Sequence, residues 1–588
     1  RLAAMKVALG EEEADLAIRN GQIIDVYSRQ IYQGDIAIKG KLIAAVGEVA
    51  QCIGPATEIL DADGYYLAPG FIDCHIHVGG SQLSMTQLAR LLLSKGTIAI
   101  ATDFYEIATI AGQEAARFCA EELGVTPLKL LFSPFFAAYL AVGPWGNPGR
   151  FSASDMMSSL DWPEITATRE WQVGVTSIPD PAIRDFLSAT YERRLVMEGH
   201  LEGRTGAVLQ AAAAMGARSD HEMADAREAL ERIRLGIVVQ ARQGSAAWDL
   251  AKVVGALVEN DVDSRAFMFS TDEMEADEIA RDGHMDNKIR MAVEAGVDPL
   301  VAVQMATLNA AQFYRIDHEL GSLTPGRNAS VVFFEDLRGF RVARVVADGE
   351  VVAEGGQYTG DLSAPNYPKS AYEAMHVKAP LVAEDFRIAG PAVRSEVMIN
   401  VIGIREGSLL TEHQVGELPV TEGEVRADPA RDLAKIAVID RHEASGRVGL
   451  GFIRGLGLNS GAVASSFNPG VCNIAVVGTN DVDMATVANR IVELGGGYVT
   501  AKDGKVLAEF PMPLWGIFSD CRMEEAVEQL KSVSQSLHRD LGTSFRGFHI
   551  GVGFCCLPII IPSLKICDRG LVMVDRDFQE AIPLFVEE

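Results

Sequence analysis

The sequence contains no segment of about 18 uninterrupted apolar residues, the length that a membrane-spanning helix requires. It also lacks any run of lysine or arginine, and its 52 basic residues are outnumbered by 80 acidic ones, for a formal net charge of −28. A chain this acidic repels phosphate backbones and anionic lipid surfaces. We therefore expect neither nucleic acid nor a membrane as a partner.

Cysteine is scarce and irregularly placed. Eight cysteines are spread over 588 residues without CxxC spacing, which is typical of reduced thiols and not of a disulfide framework. The adjacent Cys555 and Cys556 are expected to be buried small apolar side chains. The first residues also turn acidic too early for the apolar core of a secretory signal. These features together predict a cytoplasmic protein.

The chain is too long for one compact core, so two to four structural units are expected. Residues 14–47 contain short alternating apolar runs broken by Asn-Gly, Gln-Gly and Lys-Gly, a pattern that predicts β-hairpins. Residues 321–358 repeat this character, with Asp348-Gly349 as a hairpin turn. We expect the two blocks to pair into one small sheet, with the intervening chain inserted as a second domain.

The inserted part alternates apolar strands with helical patterns. Strands are predicted within residues 96–103, 236–242 and 266–272, and each is followed by a helical stretch. Repeated strand-helix units over about 250 residues indicate a parallel barrel of the (β/α)8 type. Catalytic groups in such barrels lie at the carboxyl ends of the strands, so the polar residues that close an apolar run are the candidates.

The pattern changes again from about residue 366. Residues 472–497 predict a strand, a turn, an amphipathic helix and a glycine-rich stop. The proline-containing stretch 361–373 is the expected linker. A separate C-terminal α+β domain is therefore predicted.

Five residues that can bind a metal close the predicted strands. His75 and His77 lie two apart in "PGFIDCHIHVGGS", so on a strand both point to one face. His200 ends "RRLVMEGH", His221 follows "GARSD", and Asp272 closes "AFMFSTD". An incidental His-X-His pair, a surface histidine or a helix N-cap explains each one alone. Together they predict a metal site at this end of the barrel.

Glu170 is the candidate for a carboxylate that bridges two metal ions. It lies between the first histidine pair and His200 and precedes a short apolar stretch. A solvated surface charge accounts for Glu170 equally well. The residues alone do not decide between the two interpretations.

Several segments, in order along nearly the whole chain, resemble the amidohydrolase superfamily and within it the adenine deaminases. The order of agreement is more specific than any single segment. The segments are "APGFIDCHIH", "RSDHE", "GSAAWDL", "FSTDE", "GHMD", "DPLVAVQMATLNAAQFY", "GAVASS" and "VVGTNDVDM".

The resemblance implies an α/β fold in three parts. A (β/α)8 TIM-like amidohydrolase barrel is expected over residues 69–320, with a small β-sandwich formed by the flanking residues 1–68 and 321–362. A C-terminal adenine deaminase-like α+β domain is expected over residues 363–588. Members of this superfamily commonly pair, so a homodimer is compatible with the resemblance.

The resemblance also implies a divalent metal centre, expected to be dinuclear, with manganese, iron or zinc as the ion. Glu170 would be the bridge, and the family pattern places a further glutamate six residues before it, which Glu164 matches. No organic cofactor is needed. The implied metal ligands are His75, His77, Glu170, His200, His221 and Asp272.

The implied reaction is hydrolytic deamination of adenine, a small purine, to hypoxanthine and ammonia. The expected catalytic residues are Asp272, His221 and Glu170. Asp272 is the expected proton carrier between the attacking water and the departing amine. His221 or His200 would polarise the reacting centre, and the sequence does not divide that role between them.

Three segments depart from the resembling family. Gly79 stands where the family has glutamate, Tyr105 where it has histidine, and Pro469-Gly470-Val471-Cys472 where it has His-Asp-Ser-His. One interpretation is that these positions drift without changing the reaction. Another is that the substrate is a different aminated heterocycle or a cyclic amide. A non-catalytic metalloprotein on the same fold is the third.

Overall fold

Eight short parallel strands close into a ring in the computed structural model of the chain. Because they are covered on both faces, they read as continuous apolar runs and not as alternating ones. The first to eighth barrel strands are Phe71–Asp73, Thr97–Thr102, Lys129–Phe132, Ala167–Trp171, Val196–Gly199, Ala217–Asp220, Val238–Arg242 and Phe267–Ser270. The structure describes residues 1–141, 143, 145–146, 151–172, 180–260, 262–378, 380–391, 395–558, 561–575 and 579–586.

Two single bridges complete the ring. The first three strands form one parallel sheet and the last five another. A parallel bridge between Phe132 and Ile165 joins the third strand to the approach of the fourth, and one between Ile76 and Asp272 joins the first strand to the eighth. The predicted (β/α)8 barrel is thereby confirmed, and the second bridge is made by residues next to candidate ligands.

Four of the described helices around the barrel begin at a residue whose side chain caps the first turn. Asp180 and Asp298 accept hydrogen bonds from the first-turn amides, and each is followed by proline, which needs no amide partner there. The described helices of this region are Met85–Ser94, Tyr105–Gly124, Phe136–Leu140, Ala153–Ser158, Pro181–Glu192, Gly206–Met215, Ala226–Arg234, Leu250–Val253, Gly255–Asn260, Ala276–Asp282, Met285–Glu294, Pro299–Met305 and Leu308–Phe313.

The flanks of the barrel meet in one nine-stranded sheet. Tyr66–Pro69 pairs antiparallel with Val331–Phe334, which joins the two hairpin blocks that the sequence separates. At the predicted hairpin turn, Asp348 and Gly349 have φ of +52° and +84°, as a tight two-residue turn requires. The other strands are Leu16–Asp25, Gln30–Lys39, Leu42–Gly47, Glu58–Asp61, Val342–Ala347, Glu350–Glu354 and Gln357–Tyr358, and the helix Leu2–Ala8 packs beside them.

The C-terminal region contains a second nine-stranded sheet with helices against it. The helix Asp481–Leu494 starts at its N-cap Asn480 and stops at Gly495, whose φ is +75°, as residues 472–497 predict. The strands are Glu396–Ile404, Thr411–Thr421, Glu424–Val425, Ala434–Ile439, Val448–Arg454, Ala462–Ser465, Ile474–Gly478, Gly497–Lys502 and Lys505–Pro511, with helices Met523–Ser536 and Phe548–Cys555 and a three-stranded sheet of Ser563–Cys567, Gly570–Val574 and Gln579–Ala581.

The C-terminal region packs on the barrel through specific polar contacts. The Ser519 amide donates to the Gln82 carbonyl at 2.8 Å, and Arg90 forms an ion pair with Glu524 at 2.8 Å. Cys555 and Cys556 are buried, as expected. Among the helices that the structure describes, none is both long and apolar enough to cross a membrane.

A buried ion pair ties four barrel strands together. Arg169, fully buried, donates to the Ala101 carbonyl at 2.7 Å and to Glu198 Oε1 at 3.0 Å. Gln240 Nε2 donates to Glu198 Oε2 at 3.0 Å. Since these residues belong to the second, fourth, fifth and seventh strands, the pair acts as a cross-brace within the barrel.

Arg169→Leu is expected to destabilise the protein strongly, because it leaves the Glu198 carboxylate buried without its cation, at a cost of about 3–5 kcal/mol. A fall of several degrees in the melting temperature measured by calorimetry would show this. Arg193→Leu, which removes the exposed pair with Asp161, is the control and should change the melting temperature little. Equal melting temperatures for the two variants would contradict the bracing role.

Candidate metal centre

The six candidate ligands of the sequence converge at the carboxyl end of the barrel. Glu170 lies in the fourth strand, and the others follow the ends of the first, fifth, sixth and eighth strands. All are at least 92% buried: His75, His77, Glu170, His200, His221 and Asp272. Burial of this many polar side chains together is unfavourable unless they bind one another or a cation.

The Glu170 carboxylate is shared between two pairs of histidines. Its Oε1 lies 3.2 Å from His75 Nε2, and its Oε2 lies 3.0 Å from His200 Nδ1. His75 and His77 approach each other at 3.1 Å between their Nε2 atoms. Two groups able to hold a metal result, His75–His77–Glu170 and Glu170–His200–His221, and Glu170 is common to both.

Asp272 connects the first barrel strand to the eighth. Its amide donates to the His75 carbonyl at 2.9 Å, and its carbonyl accepts from the His77 amide at 2.9 Å. The side chain places Oδ1 3.5 Å from His77 Nε2. The alternative role as a helix N-cap is not found, because the next helix begins at Ala276 with Glu275 as its N-cap.

Two of these residues adopt a backbone conformation that is unfavourable for side-chain-bearing residues. Glu170 has φ of +64° and Asp272 has φ of +66°. Such left-handed conformations cost of order 1–3 kcal/mol each and persist only where the surroundings impose them. The fold therefore holds both carboxylates in place at an energetic cost.

The charges in the site reinforce one another. Burial raises the pKa of the Glu170 carboxyl, but hydrogen bonds from His200 and His75 hold that pKa well below its usual range. Burial lowers the pKa of His200, whereas Glu222 and Glu170 raise it to about 9. Burial and the neighbouring His221 lower the pKa of His75 well below its usual value. Glu170 is thus held as a carboxylate.

Three charged residues of the site were not singled out by the sequence. Arg242 ends the seventh strand, and its Nη1 contacts both Glu222 Oε1 and Asp272 Oδ2, the latter at 2.9 Å. Glu222 and Glu273 both line the cavity at the site. The signal was present, because Arg242 closes an apolar run and the two glutamates directly follow His221 and Asp272.

Glu164 lies apart from this centre. Its carboxylate forms a two-point ion pair, at 3.0 and 3.2 Å, with Arg117 of the helix Tyr105–Gly124. Neither residue belongs to a metal-capable group among the described residues. Besides the two groups joined by Glu170, the described residues form three more, which are His77–Asp103–Glu106, His77–Asp272–Glu273 and His221–Glu222–Asp272.

The three departures from the family pattern lie near the site. The Tyr105 ring contacts the His77 ring edge-on, with centroids 4.8 Å apart, and lines the cavity together with Pro469. A Cβ at Gly79 would approach Glu106 Oε1 and Phe467 Cε2 to 2.7 Å. A side chain at position 79 is therefore incompatible with the present packing of Glu106.

The cavity over the centre is lined by both the barrel and the C-terminal region. The barrel contributes the polar floor, and the C-terminal region contributes an apolar wall made of Pro469, Phe554, Leu557 and Ile561. A small, flat, partly apolar molecule suits these walls.

The donor set fits a pair of divalent cations. Imidazole nitrogens and carboxylate oxygens are ligands for zinc, iron and manganese. Two buried ring nitrogens, His200 Nε2 and His221 Nδ1, have no hydrogen-bond partner within the described part of the chain. Buried polar atoms without partners are rare in stable proteins, so a bound cation is the simplest explanation of this cluster.

The sequence profile of the amidohydrolase family matches residues 173–352, and that of the adenine deaminase C-terminal domain matches residues 408–577. An adenine deaminase of Moorella thermoacetica is 37% identical over 96% of this chain and 95% of its own length. One from Mesorhizobium japonicum is 34% identical over 99% of this chain and 96% of its own length.

Among solved structures, a D-hydantoinase from Thermus sp. is 15% identical over 59% of this chain and 97% of its own, with a TM-score of 0.45, which is too distant to bear on function. The curated relatives are similar over nearly their whole length, and the C-terminal domain profile matches as well. The chain therefore belongs to the adenine deaminase family of the amidohydrolases.

Proposed function

We propose that the protein hydrolyses adenine to hypoxanthine and ammonia. The carboxylate of Glu170, shared between His75 on one side and His200 on the other, is the observation that carries the proposal. Membership of the adenine deaminase family supports adenine as the substrate. The enzyme is accordingly a hydrolase acting on a carbon–nitrogen bond of a cyclic amidine.

The residues that would hold the metal are the two groups joined by Glu170. We propose two ions, with His75 and His77 on one side and His200 and His221 on the other. When bound, divalent ions of this kind lower the pKa of water far enough to supply hydroxide near neutral pH. Manganese is our choice, although iron and zinc accept the same ligands.

Asp272 is positioned to carry the proton. Burial raises the pKa of its carboxyl, but Arg242 lowers it, to about 2, so the side chain is an anion at neutral pH. Its Oδ2 is bound to Arg242, and its Oδ1 faces the centre beside His77. We propose that Oδ1 takes a proton from the attacking water and delivers it to the departing amine.

The cavity lining supports the same chemistry. The apolar side chains of Phe554, Leu557 and Ile561 line the same cavity as the polar residues and reduce the contact of a bound substrate with water. Fixed charges act more strongly in such a place than in water. All eight cysteines are free, which supports our proposal of a reducing, cytoplasmic location. A role in purine salvage is proposed from the reaction alone.

A second candidate function is hydrolysis of another aminated heterocycle or a cyclic amide. Tyr105 and Pro469 line the cavity at positions where the resembling family has polar histidines. Exchange of matched polar contacts in a site changes substrate discrimination by large factors. These two positions, together with Gly79, indicate that the substrate pocket differs from that of the resembling family, which is the observation in favour of this second candidate.

Purified protein loaded with manganese is expected to convert adenine to hypoxanthine with one ammonia released per adenine. The decrease in adenine absorbance and the ammonia yield measure this directly. A panel of aminated purines, pyrimidines and cyclic ureas under the same conditions tests the alternative. If the protein binds metal but does not turn over adenine, and turns over another compound of the panel, that compound and not adenine is the substrate.

Glu170→Gln is expected to reduce bound metal well below that of the unmodified protein, since a neutral amide cannot supply two anionic oxygens to two cations. Metal content per chain, measured after dialysis, checks this. Glu164→Gln makes the same chemical change at the Arg117 ion pair and should retain the full metal content. Full metal content in Glu170→Gln would show that Glu170 does not bridge two metal ions.

Asp272→Asn is expected to leave the metal bound but to lower kcat for adenine by about 10²- to 10⁴-fold, because the shape is kept and the proton carrier is lost. Ammonia release and metal content are measured on the same sample. A kcat close to that of the unmodified protein would assign the proton transfer to another group.

A further inference from the structure

Glu222 is a buried carboxylate at the cavity, and together with His221 and Asp272 it forms a further group able to hold a metal. It directly follows His221, is 6% exposed, and lines the cavity. The six ligands predicted from the sequence do not include it. Its surroundings indicate what it binds.

One oxygen of Glu222 is fully engaged. Oε1 contacts Arg242 Nη1 at 2.5 Å, His221 Nε2 at 3.2 Å and His200 Nδ1 at 3.7 Å. In all three contacts Oε1 is the nearer oxygen of Glu222, and among the described residues no side chain donates a hydrogen bond to Oε2. Oε2 is therefore available to a ligand in the cavity that Glu222 lines.

Arg242 fixes the orientation of that carboxylate. The guanidinium is 5% exposed and also contacts Asp272 Oδ2 at 2.9 Å and Asp249 Oδ2 at 3.1 Å. A cation held by three carboxylates in a buried place has little freedom to move. Glu222 therefore presents Oε2 in a set direction.

The occupant that matches this oxygen carries an N–H group. The apolar residues that line the same cavity, Phe554, Leu557 and Ile561, have no side-chain donor. A buried carboxylate oxygen without a donor is unfavourable, so a ligand that fills the cavity must supply one. Because Oε1 lies beside His200 and His221, the donor belongs to the end of the ligand that reacts.

We propose that Glu222, oriented by Arg242, accepts a hydrogen bond from the exocyclic amino group that leaves the substrate. This assignment rests on the proposed deaminase function and makes Glu222 the residue that selects amino-substituted heterocycles. In adenine that group is the amine on the reacting carbon. Analogues with the same ring but no amino group lack the donor and do not use this contact.

The test compares adenine with 6-chloropurine, which keeps the purine ring but has chlorine in place of the amine. In Glu222→Gln, kcat/KM for adenine is expected to fall by roughly 10- to 150-fold, the effect of losing a hydrogen bond to a charged group. The inhibition constant of 6-chloropurine should stay within about twofold or become tighter. Bound metal should be unchanged.

The matched control is Glu202→Gln, which makes the same change at a carboxyl two residues after His200 that does not line the cavity. This variant should have the same ratio of adenine kcat/KM to the inhibition constant of 6-chloropurine as the unmodified protein. Glu222→Asp, which shortens the side chain but keeps the carboxylate, provides a second variant. Its ratio of adenine kcat/KM to the inhibition constant of 6-chloropurine should lie between those of the unmodified protein and Glu222→Gln.

Three results would overturn the assignment. The first is that Glu222→Gln weakens the binding of 6-chloropurine as much as it lowers kcat/KM for adenine, which would indicate a structural role. The second is an unchanged kcat/KM for adenine. The third is loss of bound metal in Glu222→Gln, which would make Glu222 a metal ligand. Absence of adenine turnover in the unmodified protein would instead overturn the proposed function and this inference with it.

Discussion

The site is organised around one carboxylate. Glu170 reaches two pairs of histidines, one from each side, and its backbone adopts φ of +64° in the fourth strand. The histidines come from strands that are distant in sequence, so barrel closure and the geometry of the site depend on each other. The bridge between Ile76 and Asp272 shows this most clearly, since it closes the barrel with residues adjacent to the ligands.

A second layer of charges surrounds the carboxylate. Arg242 holds Asp272 and Glu222 with one guanidinium, and Arg169 braces the strand that carries Glu170. The C-terminal region then covers these charges with an apolar wall that includes Phe554. The polar residues and most of the apolar residues that line the cavity come from different parts of the chain.

The sequence predicted the barrel and five of the six candidate ligands, because strand-closing polar residues are a local signal and parallel strands bring their ends together. Glu170, the sixth, was predicted only from the family resemblance. Pairing of the flanks was also predictable from two blocks of similar turn pattern. Other features are not local. The Glu222–Arg242 contact joins two strands, and the cover by Phe554 depends on how the C-terminal region packs, so neither follows from spacing along the chain.

The central claim is that two metal ions share Glu170 and that adenine hydrolysis requires both. Titration of metal-free protein with manganese, with adenine turnover recorded at each addition, tests it most directly. Activity should rise with added metal and reach its plateau at two equivalents per chain. A plateau at one equivalent, or full activity without metal, would contradict the account.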